Sequence, residues 1–149
     1  MGHRGFRRSQ VTTQQGRQKV IGIDPGLSKC GYAAMYEDGV RVTLEVVPTA
    51  DLAARLDRDV RAGDVSAICV GDATTSDTVV RLCRERWPEV PVAVVDERNT
   101  TFEARRLYYE EHPPRGFWRF VPLGMLLPPV PLDDYAALLI IERFRRRRS

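Results

Sequence analysis

Acidic side chains recur where the short apolar runs of this chain end and where its last apolar run begins. They are Asp24, Asp72, Asp96, Glu97, Asp133 and Asp134. In an open α/β sheet the carboxyl ends of parallel strands share one edge, so several of these carboxylates are expected to gather there. Gathered carboxylates repel one another unless a cation neutralises them. Oxygen ligands without nearby His or thiolate partners favour Mg²⁺ or Mn²⁺.

The chemistry of such a cluster is metal-assisted phosphoryl transfer. Two ions about 3.5–4 Å apart can activate a water molecule and stabilise the leaving oxygen of an in-line displacement. Three of these acids also have an ordinary interpretation. Asp133 suits a helix N-cap, Asp24 with Pro25 and Gly26 suits a turn, and Glu97 with Arg98 suits a surface ion pair. Their joint placement at one edge favours the functional interpretation.

Five runs are predicted as strands, and their order predicts the fold. The step Asp38-Gly39 predicts a hairpin between the second and third runs. The fourth and fifth runs are short and almost wholly apolar, as parallel strands covered on both faces are. Three antiparallel strands followed by two parallel α/β units predict an α/β mixed sheet with helices on both faces. The five runs are 19–24, 30–36, 40–47, 66–71 and 92–96.

Four helices are predicted between and after these strands. Thr49 is a candidate cap for the first, which places Leu52, Leu56 and Val60 on one face and stops at Gly63. The next two are predicted at about 75–87 and 100–111, the latter opened by the capping-box pattern of residues 100–103. The last begins near Asp133 and is apolar nearly all round from Tyr135 to Ile141, so it should be buried.

Residues 113–131 interrupt this pattern with six of the ten prolines of the chain. Proline lacks the backbone donor that helices and central strands use, so a long mobile loop is predicted. Within it, the segment 115–120 interleaves aromatic residues with Arg115 and Arg119, a composition that suits base stacking and phosphate binding. Ordinary packing of Phe117 and Trp118 on the body is the alternative.

The charge of the chain is unevenly distributed. Of the 23 basic residues, ten lie in 1–19 and 143–149, where there are no acids. Residues 20–142 therefore contain 13 basic and 20 acidic residues. This predicts a basic N-terminal arm (1–18), a domain (19–144) and a basic C-terminal tail (145–149). Loosely ordered basic arms suit a polyanionic partner, although solvated termini that aid solubility are the alternative.

The cysteines and the apolar runs limit the class of protein. Cys30, Cys69 and Cys83 are odd in number and form no metal-binding spacing, so they are expected to be small buried hydrophobes in a reducing compartment such as the cytoplasm. The longest apolar run has only the seven residues from Tyr135 to Ile141, which predicts no membrane span. The basic, polar N-terminus does not look like a secretory signal.

Three segments resemble a known family. The segment 21–33 (IGIDPGLSKCGYA) looks like the first strand and hairpin of the RuvC and YqgF/RuvX nucleases of the RNase H-like superfamily. The segment 94–104 (VVDERNTTFEA) is similar to the DER-x-TT-x-EA segment typical of YqgF/RuvX. The segment 132–144 (LDDYAALLIIERF) resembles the closing helix of that family. The three matches fall in the family's order and cover roughly residues 20–144.

The resemblance implies metal-dependent cleavage of phosphodiesters, with Asp24, Glu97 and Asp133 at the family's acidic positions. YqgF/RuvX proteins are associated with Holliday-junction resolution and with maturation of ribosomal RNA precursors, and a junction resolvase is expected to act as a homodimer. Residues 71–76 (GDATTS) depart from the typical Gly-Leu-Pro type segment, so Asp72 becomes a candidate fourth ligand, as in RuvC-type enzymes. Asp133 is preferred to Asp134 because it shares a helical face with small alanines.

Phosphate contacts need positive partners and amide donors near these acids. The helix beginning at Thr100 offers N-terminal amides and hydroxyls. Lys29 and Arg98 are nearby candidates, and Arg115 and Arg119 are candidates in the loop. Two other functions fit part of the pattern. One is a catalytically silent nucleic-acid-binding domain; the other is an actin-like or sugar-kinase-like ATPase fragment, whose phosphate loops also use D-x-G but which needs a second lobe.

Overall fold

The structure, a computed structural model, describes residues 17–97, 100–126, 128 and 132–148. Its strands match the predicted positions to within one or two residues, because each is a short apolar run closed by a turn or a polar residue. The hairpin at Asp38-Gly39 forms as predicted: Gly39 has a φ of +96°, a conformation that glycine adopts without strain. The strands are β1 (Lys19–Asp24), β2 (Lys29–Tyr36), β3 (Arg41–Pro48), β4 (Val65–Gly71) and β5 (Val92–Val95).

The five strands form one sheet in the order β3-β2-β1-β4-β5. β1 pairs with β2 in antiparallel register and with β4 in parallel register, and β5 is parallel to β4. β3 completes the antiparallel half against β2. The predicted mixed α/β sheet is therefore confirmed. Because β1 is central and β4 and β5 run parallel to it, all three end at the same edge of the sheet.

The helices cover both faces of the sheet, as predicted. They are α1 (Leu52–Arg61), α2 (Ser76–Arg86), α3 (Thr100–Glu111) and α4 (Asp133–Arg147). Alternation along β1 separates two cores: Ile21 and Ile23 pack in the cluster that includes Leu56 of α1 and Val80 of α2, whereas Val20 packs in the cluster with Ile140 of α4. The free thiols of Cys30, Cys69 and Cys83 are all buried, as predicted.

The structure corrects the role expected for Thr49. Residues Thr49–Asp51 form a turn of 3₁₀ helix before α1, and the Thr49 hydroxyl makes no cap. It donates instead to the carbonyl oxygen of Gly26 at 2.9 Å. Thr49 therefore fastens the turn that follows Asp24 to the end of β3. The side chains of the capping box predicted to open α3 include Thr100, which lies outside the described side chains.

The structure describes short helices in the proline-rich segment and a longer α4 than expected; the mobility predicted for the proline-rich segment stays a prediction. In the proline-rich segment, short 3₁₀ helices form at Gly116–Phe120 and Leu123–Met125 where the prolines leave a gap. α4 runs through Arg147, so the loose tail expected at 145–149 is wrong for residues 145–147. The Arg145 guanidinium donates to the Glu37 carbonyl oxygen at 3.0 Å, which fixes this end of the helix to the sheet.

The N-terminal arm predicted at 1–18 lies outside the described residues except for its last two. Of these, Arg17 forms an ion pair with Asp38 in the hairpin. Among the helices of the described ranges, none combines the length and the apolar character that crossing a bilayer requires.

Candidate acidic site

The start of α4 rests on the end of β1 because a glycine leaves room for it. Asp24, the last residue of β1, is paired across the sheet with Gly31 of β2. A Cβ atom on Gly31 would collide with the backbone oxygen of Asp133. The missing side chain therefore lets the first turn of α4 reach the sheet beside Asp24. The N-cap interpretation of Asp133 is wrong, since Leu132 occupies the cap position and Asp133 is the first helical residue.

A second glycine makes room for Glu97. A Cβ atom on Gly71, the last residue of β4, would collide with Oε1 of Glu97. The backbone beside Glu97 is held by Arg143 of α4, which donates to the Asp96 carbonyl oxygen at 2.6 Å and to Glu103 Oε1 at 3.3 Å. Glu97 is thereby directed over the end of β4 toward Asp24, whereas the side chain of Asp96 is exposed.

The carboxyl groups of Asp24 and Glu97 are hydrogen-bonded to each other. Burial, the hydrogen bond to Asp24 and the charge of Asp24 together raise the pKa of Glu97 to about 8. Burial also raises the pKa of Asp24, with a further contribution from the charge of Asp133 and an opposing one from the hydrogen bond. At neutral pH Glu97 therefore holds the proton and donates it to Asp24, because two close carboxylates cannot both ionise without a cation.

Asp133 faces the same site from α4. Asp24 and Asp133 line one cavity of about 260 Å³, together with Ala104, Ala136 and Leu132. The neighbouring Asp134 makes a different contact: its Oδ1 accepts a hydrogen bond from the backbone N–H of Tyr135 at 2.9 Å. The small alanines of α3 and α4 keep the cavity open between the two carboxylates.

Two cations lie near these acids, one paired with Asp133 and one lining the cavity, and the second was not predicted from the sequence. Lys29, predicted to contact phosphate, lies with its Nζ 3.4 Å from Oδ2 of Asp133. Arg105 of α3 also lines the cavity. Little in the sequence points to Arg105. The one indication is the neighbouring Ala104, whose small side chain lets α3 approach the acids. A guanidinium beside two carboxylates suits a phosphodiester that arrives with its own cation.

Asp72, the candidate fourth ligand, is exposed at the end of β4, and its charge contributes to the raised pKa of Glu97. Across the described ranges, no three His, Cys, Asp or Glu side chains already form a metal-ligand set. The donor chemistry nonetheless fits a hard divalent cation: the acids offer only oxygen, and a proton and the Lys29 ammonium offset their mutual repulsion.

The remaining candidates for nucleic-acid contact lie apart from the acids. Arg98 is outside the described residues, and for Thr100 only the backbone, at the start of α3, is described. Arg115 lines a second, larger cavity beside the end of α3. The Arg119 guanidinium lies over the ring of Phe120, 4.9 Å from its centre. The structure therefore does not bring these two arginines to the acidic cavity.

The fold matches a solved nuclease structure. RuvC of T. thermophilus, solved in complex with a Holliday junction substrate, superposes with a TM-score of 0.50 at 18% sequence identity. The match covers 87% of this chain and 96% of RuvC. With the sheet order described above, it assigns this chain to the RNase H-like α/β fold.

Sequence comparison finds relatives that match part of this chain. A Coxiella burnetii protein named "Putative pre-16S rRNA nuclease" is 42% identical over 60 residues, and the protein of the same name from a second strain is 37% identical over the same length. Each match covers 40% of this chain, which spans about a third (34%) of the relatives' length. No family model matches the chain. The sequence matches show a local likeness to these proteins over 60 residues, and the structural match shows the RNase H-like fold.

Proposed function

We propose that this chain is a metal-dependent nuclease that hydrolyses phosphodiester bonds of structured nucleic acid. The observation that carries the proposal is the hydrogen-bonded pair of Asp24 and Glu97, which shares one edge of the sheet with Asp133. Neighbouring carboxyl groups whose pKa values are both raised in a cleft are typical of sites that bind a cation or move a proton. The names of the curated relatives and the RuvC-like fold support the nuclease class.

Asp24, Glu97 and Asp133 are the proposed ligands of Mg²⁺ or Mn²⁺, with Asp72 as a further ligand. When bound, two such ions would activate water and stabilise the leaving oxygen. Binding requires Glu97 to lose its proton and Asp133 to part from Lys29. Lys29 and Arg105 are then placed to bind the oxygens of the phosphate. A water oxygen attacks phosphorus as the bond to the leaving oxygen breaks; one water proton ends on the leaving oxygen, so the products are one phosphate end and one hydroxyl end.

The proposed substrates are branched DNA, such as a Holliday junction, and precursor ribosomal RNA. A junction cutter would act as a homodimer, because a four-way junction presents two symmetric strands. The buried thiols suit a reducing cytoplasm.

One assay tests the proposal. Purified protein is incubated with labelled junction, duplex, single-stranded and RNA substrates in Mn²⁺, in Mg²⁺ and in EDTA, beside the Asp24→Asn variant. We expect cleavage that requires the metal and falls on the order of 100-fold or more in the variant, with binding retained, because metal contributes several kcal/mol to such transition states. Binding without cleavage in every buffer would instead support the alternative function, a catalytically silent nucleic-acid-binding domain. Equal cleavage by both proteins would remove the acids from the mechanism.

A further inference from the structure

A second cavity lies beside the C-terminal turns of α3. Its volume is about 530 Å³, twice that of the acidic cavity. It is enclosed by α3 on one side and by the two 3₁₀ helices of the proline-rich segment on the other. Its main lining residues are Tyr108, Tyr109, His112, Arg115, Trp118 and Met125. A concave, largely aromatic surface with few polar groups is the usual form of a binding site for a flat organic ring.

One wall of this cavity is a fixed aromatic surface. The rings of Tyr108 and His112 are stacked, with centres 4.6 Å apart and planes inclined by 20°. The Tyr108 ring also meets the edges of Tyr109 at 5.1 Å and Tyr135 at 6.0 Å. The Tyr135 hydroxyl in turn donates to Glu111 at 2.8 Å. These contacts hold Tyr108 in place from three sides, so the wall is arranged before any ligand arrives.

The opposite wall carries large apolar side chains that remain in solvent. Trp118 is 61% exposed and Met125 is 73% exposed, although both line the cavity. Adjacent exposed apolar groups of this size mark interaction sites more often than isolated ones do. Arg115 adds a positive charge at the same cavity. Aromatic faces combined with a guanidinium are the groups that proteins use to hold an unpaired base together with its phosphate.

The two cavities lie on neighbouring turns of α3. Ala104 and Arg105 line the acidic cavity, and Tyr108 and Tyr109 line the aromatic one. Four residues of helix separate them by about 6 Å along the axis. Helices α3 and α4 are also joined near both cavities, because the Tyr108 ring contacts Tyr135, which lies two residues after Asp133. This spacing is short enough for one nucleotide at the aromatic cavity to adjoin a phosphate at the acids.

We propose that the aromatic cavity binds one unpaired base next to the phosphodiester that is cut. This inference rests on the proposed nuclease function and specifies its substrate: a strand that has at least one unstacked base beside the cut. A continuous duplex cannot fill the cavity without opening a base pair. Trp118 and Tyr108 would enclose the base, and Arg115 would contact its phosphate.

Fluorescence of Trp118 tests the inference without cleavage. The wild-type protein is titrated in EDTA with a short single-stranded oligonucleotide and with the blunt duplex of the same sequence. We expect the single strand to quench the exposed Trp118, because a base stacks on its ring, while buried Trp87 supplies a constant background. Trp118→Ala should weaken single-strand binding about 5- to 150-fold, the range for the loss of one stacked base.

Phe120→Ala is the matched control. Phe120 lies two residues from Trp118 and is 74% exposed, but it packs on Arg119 and is not among the lining residues of the cavity. Its replacement should leave single-strand affinity within twofold of wild type. Equal losses in both variants, or equal quenching by the blunt duplex, would overturn the inference.

The result is separable from the proposed function. Quenching by the single strand that is lost in Trp118→Ala would support the base site even if the protein cuts no substrate with Mn²⁺. Metal-dependent cleavage with unchanged affinity in Trp118→Ala and no quenching would overturn the base site and leave the nuclease in place.

Discussion

The ammonium group of Lys29 lies 3.4 Å from Oδ2 of Asp133, so a lysine from β2 is paired with a proposed metal ligand on α4. A cation that binds Asp133 has to displace this partner. We therefore expect Lys29→Gln to bind Mn²⁺ more tightly, by up to about fivefold, since half-exposed ion pairs contribute up to about 1 kcal/mol. Isothermal titration of nucleic-acid-free protein measures this. Weaker Mn²⁺ binding would mean that Lys29 does not compete with the metal.

Glu97 and Asp96 are adjacent acids in different surroundings. The Glu97 carboxyl is directed at Asp24, whereas the Asp96 side chain is exposed and its backbone carbonyl accepts from Arg143. We expect Glu97→Gln to lower the cleavage rate by on the order of 100-fold and Asp96→Asn to change it by less than about threefold. Rates with Mn²⁺ in excess give the comparison. The reverse ranking would assign the site to Asp96.

The raised pKa of Glu97 predicts a stability that depends on pH. A folded-state pKa of about 8, against about 4.3 for an unfolded chain, means that the folded protein binds the proton more tightly. The stabilisation is complete below pH of about 4.3 and is lost as pH rises through 8. The pKa of Asp24 is raised as well and acts in the same direction. In EDTA, Tm should therefore fall between about pH 5.5 and 8.5.

The control for this pH effect is a pair of variants. Glu97→Gln keeps an amide that can donate to Asp24 but cannot titrate, so its Tm should depend less on pH than that of wild type. Asp96→Asn should show the wild-type dependence. If Glu97→Gln and wild type showed the same dependence of Tm on pH, a group other than Glu97 would be responsible for it.

Asp59 connects α1 to the sheet on the opposite face. Its carboxylate accepts hydrogen bonds from Tyr32 at 2.5 Å, Arg55 at 2.8 Å and Lys19 at 3.1 Å. Burial opposes its charge, but the hydrogen bonds from Tyr32 and Lys19 outweigh burial and hold the pKa of Asp59 below its usual value. Asp59→Asn should lower the free energy of unfolding by about 2 kcal/mol, since it leaves the buried Lys19 with only the longer ion pair to Asp64 and removes the charged acceptor of Tyr32 and Arg55.

Asp57, on the same helix, provides the control for Asp59. It pairs with Arg61, whose side chain is largely exposed. Asp57→Asn should therefore change the free energy of unfolding by less than about 0.5 kcal/mol. Urea titration of the three proteins measures both effects. Similar losses in the two variants would show that the network around Asp59 contributes no more than a surface pair.

The last turn of α4 predicts a salt-dependent contact. Arg146 and Arg147 are exposed there, while Arg145 is bound to the sheet. If the first two contact phosphates, replacing both with Gln should reduce the slope of log affinity against log salt by about 1.4 to 1.8, as expected for two contacts. Fluorescence anisotropy at several salt concentrations gives the slope. An unchanged slope would show that Arg146 and Arg147 do not contact phosphates, and solubility would then be their remaining role.

The fold was predictable because its signals are local. Alternating or continuous apolar runs, closed by Asp24, Gly39 or Gly71, predict strands from neighbouring residues alone, and the order of strands then predicts the sheet. The approach of Asp24 and Glu97 follows from the shared edge of parallel strands, whereas Asp133 is brought there by helix α4. The backbone space at Gly31 and Gly71, which lets these acids meet, has no local signature.

The incorrect expectations share one physical cause. The Thr49 hydroxyl donates to Gly26, which is 23 residues away, and this long-range partner replaces the local cap. Arg145 donates to the carbonyl of Glu37, 108 residues away, which orders the chain where a loose tail was expected. Arg105 reaches the acidic cavity only because α3 packs against α4. Contacts between distant segments decided each case.

Because α4 is continuous from Asp133 to Arg147, the distance between its two ends is fixed. Fourteen steps of 1.5 Å separate the two residues by about 21 Å along the helix axis. Since the helix is packed on the sheet along its apolar length, this spacing cannot shrink. A strand bound at both ends would span about six phosphates at 3.4 Å each. The footprint from the cut to the basic end is then set by helix length, and one added turn would lengthen it by about 5.4 Å.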